Sequence, residues 1–220
     1  VLKRIGIELL HHIPFTAAGA VTGIVAMTLV TVFNTPTNVS EALFYVFHPL
    51  HVIFSAMVTT SIFRRHKNSK LWLTIIVGYV GSIGIATLSD AIIPYLEGKS
   101  LQIAMEFHLP FASSEIMPYF NVPHWVIVNI AAIIGIIIGN FKPNTKMPHM
   151  IHVLISTWAS LFGFTTFGTA DWLPFLPIIF VYLFLAVWIP CCFSDIVFPL
   201  LWPGKSNDHE HTREHAHAHQ

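Results

Sequence analysis

Six long stretches of the chain contain no Asp, Glu, Lys or Arg: 9–40, 42–63, 71–89, 116–141, 147–170 and 172–194. Each can cross ~30 Å of hydrocarbon as a helix rising ~1.5 Å per residue. The pattern predicts an all-α polytopic membrane protein with spans near 13–33, 44–63, 72–94, 123–141, 149–168 and 173–201. The last holds Pro174, Pro177, Pro190 and Pro199, which predicts kinks or a broken helix. Lys3 and Arg4 precede an apolar run too long for a leader and without a small-residue cleavage site, so it is expected to be the first span.

Composition agrees. Of 220 residues, 54% are hydrophobic and 10% charged, well below the ~25% charged residues of soluble domains. With zero net charge and no extended basic patch, nucleic acid is a poor partner. The cysteines, Cys191 and Cys192, are adjacent and make no disulfide framework. Trp72, Trp125, Trp172 and Trp202 fall near span ends, where an aromatic belt is expected.

The basic residues orient the spans. Lys3, Arg4, Arg64, Arg65, Lys67, Lys70, Lys142, Lys146, Lys205 and Arg213 fall on one side, and Lys99 alone on the other. The positive-inside rule then predicts cytoplasmic termini in a plasma (inner) membrane.

Three pieces recur in order. His12-Ile13-Pro14-Phe15 matches His108-Leu109-Pro110-Phe111. His48-Pro49-Leu50-His51-Val52 matches His149-Met150-Ile151-His152-Val153, and Ser89-Asp90 through Pro94 matches Ser194-Asp195 through Pro199. Two three-span repeats follow, 1–100 and 101–204, with a tail at 205–220. An odd number of spans per copy makes the second copy inverted, an arrangement common in secondary transporters.

The repeated pieces carry the chemistry. Ionisable groups are costly in hydrocarbon and tend to mark ion paths. Histidines three apart share a helix face, and imidazole with carboxylate suits zinc, iron or manganese. Topology sorts the metal ligands into an outer set, His48, His51, Asp90 and His108, and an inner set, His12, His149, His152 and Asp195. The two sets are either separate sites or one binuclear centre. Pro49 and Pro148 are placed to break or start their helices beside the histidines, and 101–121 is a candidate re-entrant segment. His11, His124, Glu106, Glu115 and Cys191 are second-rank candidates. The tail, with His209, His211, His215, His217 and His219, is expected to be disordered and to collect metal loosely on the cytoplasmic side. Gly135 and Gly139, like Gly78, Gly81 and Gly84, have the spacing that lets helix backbones approach closely.

The leading expectation is a transporter of a divalent transition-metal ion. A membrane-embedded metal-dependent enzyme of hydrolase type stands second, but no HExxH or nucleophile motif supports it. A b-type haem protein stands third. The expected partners are the metal ion and the bilayer; a homodimer is compatible with six short spans but not required by them.

Overall fold

The structure is a computed structural model describing residues 2–66, 70–117, 121–141, 146–193 and 198. Side chains at 2–9, 11, 12, 65, 66, 146–150 and 192 are outside the description. The α-helices are α1 (Leu2–Val32), α2 (Thr37–His66), α3 (Leu71–Thr87), α4 (Ile93–Ser100), α5 (His124–Phe141), α6 (Lys146–Phe167) and α7 (Leu176–Cys192). A π-helical turn, Leu88–Ile92, joins α3 to α4 in one rod. Two-residue strands β1 (Ala104–Met105) and β2 (Gly168–Thr169) pair antiparallel.

Five helical segments are long and apolar enough to cross a membrane: Ile13–Val32, Thr37–Arg64, Leu71–Ser100, His124–Phe141 and Leu173–Cys191. The described apolar part of α6, Ile151–Phe167, is shorter. The surface fits a lipid solvent. Val21, Val25 and Leu29 on α1, Ile133 and Ile137 on α5, and Val181, Leu185 and Ile189 on α7 form exposed apolar stripes four residues apart. Inside lie Thr59, Thr60, Ser61, Ser82, Thr157 and Ser160, all fully buried.

Helix ends follow local chemistry. After α1, Asn34 takes a left-handed φ of 47°, and the Thr35 N–H reaches the Val30 carbonyl at 2.9 Å. After α4, Gln102 does the same at φ 59°, with the Ile103 N–H on the Gly98 carbonyl at 2.9 Å. Both are Schellman closures, which satisfy otherwise orphaned carbonyls. Pro49 lies within a continuous α2, where it removes one backbone bond without ending the helix. Pro148 falls in the first turn of α6, and Pro174 and Pro177 open the 3₁₀ turn Leu173–Phe175 and α7.

Packing divides the rods into two groups of three. α2, α3 and α5 enclose Val52, Ile83, Ala86, Val128, Ala131 and Ala132. α1, α6 and α7 pack together, and Met27, Leu161, Phe164, Ile179 and Leu183 form their core with Met105 and Trp172 of the β-paired loops. Trp172 is thus buried in a core, whereas Trp72 and Trp125 are exposed as a belt requires. α2 against α6, the most extensive helix–helix contact among the described residues, joins the two groups. α1 packs on α6 and α7, and α5 on α2 and α3. Gly139 of α5 rests on α2, where an added Cβ would meet the Met57 carbonyl at 2.5 Å; Gly135 meets the Ile53 carbonyl in the same way. These two glycines have the close-packing role their spacing predicts.

Candidate metal centre

Asp90 sits in the π turn, where the Ile93 N–H bonds the Leu88 carbonyl, five residues back. Such turns often occur at functional sites. Pro94 explains its position: it has no N–H for the Asp90 carbonyl, and its ring crowds that oxygen. The widened turn swings Asp90 inward against α6.

The Asp90 carboxylate is fully buried and well supplied with donors. Oδ2 accepts from His48 Nδ1 at 2.9 Å and His51 Nδ1 at 2.7 Å. Oδ1 accepts from Ser89 Oγ at 2.7 Å, with Ser160 Oγ at 3.2 Å. A carboxylate has about four acceptor positions, so Asp90 holds the imidazoles and has little left for an ion. The HxxH spacing brings both rings to this one oxygen.

Clamping Nδ1 fixes the tautomer. An ionised carboxylate only accepts, so His51 Nδ1 carries the proton and Nε2 presents its lone pair. That Nε2 lies 2.9 Å from His152 Nε2 of α6. Cys191 of α7 completes a group whose donor atoms lie within 4.8 Å of one another, all three residues being buried. A tetrahedral zinc with bonds of ~2.0–2.1 Å holds two such nitrogens about 3.3 Å apart. A small outward shift of the imidazoles therefore admits the ion. Asp90–His51 in front of it is the carboxylate–histidine pairing that orients metal ligands. Cys191 Sγ also lies 3.5 Å from Ser156 Oγ.

His51 and His152, which occupy matching places in the two similar sequence pieces, thus meet each other. One member of each sequence-derived set, His51 of the outer and His152 of the inner, is brought to a common place. The reason is depth: α2 begins at Thr37, so His51 is close to the midpoint of a span running to Arg64. Counting the span from 44, after Glu41, places it too near the surface.

A second histidine group adjoins the first. His108 comes from the loop after β1, buried though outside any helix, and its Nε2 lies 3.2 Å from His124 Nδ1. His108 Nδ1 lies 3.2 Å from the exposed Glu115. Burial lowers the His108 pKa below its ordinary value, the Glu115 charge opposing and His48 adding to the shift. Phe44 stacks on His48 and meets His108 and His124 edge-on. Glu41, Tyr45, Glu106, Glu115 and Phe167 line a cleft of about 400 Å³ beside this group. Residues 101–117 thus form an irregular segment with strand pairing, carrying His108 inward.

The side chains of His11, His12 and His149 lie outside the described residues, as do Asp195 and the tail histidines His209, His211, His215, His217 and His219. His124 and Cys191, second-rank by sequence, stand in the two buried groups, whereas Glu106 lines only the cleft. Ser89, which the sequence leaves as either a packing residue or a support for the ligands, holds Asp90; the role of Ser160 escaped sequence reasoning, because nothing in the sequence brings it to Asp90.

Comparison with protein-family models, with curated proteins and with solved structures finds no match.

Proposed function

We propose that this chain carries a divalent transition-metal ion across a membrane, with His51, His152 and Cys191 as the central ligands. The observation that carries the reading is the buried His51–His152 pair at mid-span, backed by Asp90 and flanked by a cysteine. Two imidazoles and a thiolate favour zinc over manganese, with iron between. Three protein ligands leave a coordination position open, which suits an ion that must also leave. The helices supplying them, α2, α6 and α7, span both packing groups, so a rocking of α2, α3 and α5 against α1, α6 and α7 would open the centre to either side in turn. Binding would displace the proton shared by the two Nε2 atoms, so acid would weaken it. The charge asymmetry of the loops supports cytoplasmic termini, and the tail would gather ions there.

The open coordination position also favours a second reading, a zinc enzyme with bound water. Haem fits less well, because nitrogens 2.9 Å apart leave no room for a porphyrin between them.

Purified protein in liposomes enclosing a zinc indicator tests the proposal. Wild type is expected to admit zinc well above empty vesicles, and His51→Ala/His152→Ala to fall to their level. Stoichiometric zinc in wild type without any flux would sink the carrier reading in favour of the enzyme. Wild type that neither binds nor moves zinc would end both.

A further inference from the structure

Asp90 Oδ2 is shared by two histidines, and only one of them belongs to the centre described above. The other, His48, also has its Nδ1 proton committed to that oxygen, so its Nε2 carries a bare lone pair. A longer chain of contacts gives the same result at His124. The Glu115 carboxylate lies 3.2 Å from His108 Nδ1, which favours the proton on that nitrogen and leaves His108 Nε2 as an acceptor. That nitrogen takes the proton of His124 Nδ1, so His124 Nε2 is bare too. Both Nε2 atoms are buried with no hydrogen-bond partner among the described residues, and both side chains are wholly out of solvent. Two unsatisfied acceptors in one apolar interior are costly unless something occupies them.

We propose that His48 and His124 form a second cation-binding station, between the His51–His152–Cys191 centre and the acidic cleft. Their ring centroids are 5.6 Å apart with planes at 77°. Two imidazoles sharing one ion through bonds of ~2.0–2.1 Å hold their centroids roughly 5–6 Å apart, so the spacing suits one bridged ion. Phe44 packs on both rings, which fixes their directions. Nitrogen donors with no sulfur suit a borderline divalent ion bound more loosely than at the cysteine-containing centre. The remaining coordination positions go to water, as befits a stop on a path. Glu41, Glu106 and Glu115 at the cleft would concentrate cations outside it. His48 and His51 lie one helical turn apart on the same carboxylate oxygen, so an ion leaving one station meets the next without crossing bare hydrocarbon.

The station rests on the metal reading only for the class of ion, and cobalt titration separates the two. The full-length protein in nanodiscs is titrated with Co²⁺, following bound cobalt and the thiolate-to-cobalt charge-transfer absorption. His124→Ala is expected to bind one ion fewer than wild type while keeping the thiolate band. Cys191→Ala is expected to lose the band and keep the His124-dependent ion. Glu115→Gln, a near-isosteric change at an exposed position, should weaken the His124-dependent ion about ten- to a hundredfold by loosening the His108–His124 chain. An ion count unchanged by both His124→Ala and Glu115→Gln would overturn the station and assign the two nitrogens to a trapped water. A missing thiolate band in wild type would instead count against the central site, leaving the His124-dependent ion to be scored by itself.

Discussion

Asp90→Asn is expected to weaken zinc at the central site by about ten- to a hundredfold, with the helical bundle intact. The amide keeps the size of the carboxylate but has only one acceptor oxygen, and its NH₂ must face donors. Oδ2 now receives His48 and His51 together; an asparagine oxygen there holds them only as a neutral acceptor, with its NH₂ turned toward the Ser89 and Ser160 hydroxyls. Each lost charge-assisted bond is worth about 1.5–3 kcal/mol, and His51 becomes free to turn or change tautomer. Ser89→Ala removes a neutral donor on the other oxygen and should cost less than about tenfold. Chelator competition for zinc reads both variants. Equal affinity for Asp90→Asn and wild type would mean that His51 needs no carboxylate, and the Asp90-centred account would fail.

Gly163→Ala should damage the same site from the opposite helix. A Cβ at position 163 of α6 would lie 2.6 Å from the Asp90 carbonyl oxygen, and backbone cannot yield as a side-chain tip can. Overpacking of this kind costs about 1–3 kcal/mol, against the ~1 kcal/mol that alanine gains over glycine in a helix. The π turn must move, carrying Asp90 with it. Gly84→Ala is the matched comparison, because nothing lies within 4 Å of its added Cβ; it should be neutral or stabilising. Thermal unfolding in detergent and zinc affinity should both fall for Gly163→Ala and hold for Gly84→Ala. Matching behaviour of the two variants would show that the α6–π-turn contact is soft.

The rods were legible because charge-free runs of their length have one comfortable conformation in lipid. Their ends were less so. α1 extends back to Leu2 and α2 to Thr37, because a helix continues through interfacial residues such as Glu41 that interrupt an apolar run. That error moved His51 to the surface and separated it from His152. The His48–His51 pair could be read because three-residue spacing puts both imidazoles on one face, and they do converge on one oxygen. The partner could not, since which helices touch is decided by glycines and shape. β1 and β2 are two residues long and leave no periodic trace, so Trp172 beside them looked interfacial. The π turn also had no signature of its own; Pro94 hinted at it only once the Asp90 carbonyl was seen beside Gly163.

That turn also sets the phase of the rod. A π turn amounts to one residue more than an α-helix needs, and one residue is about 100° of rotation. Deleting a single residue between 88 and 92 would let α3 run into α4 as an unbroken helix of the same hydrophobicity. Any hydropathy profile would score it as the same span. Yet either Asp90 would leave His48 and His51, or Gly98 would leave Met105, against which it packs. The extra residue lets one rod face two differently oriented neighbours, so in this segment chain length is itself information, and a shortened relative should be recognised by phase and not by composition.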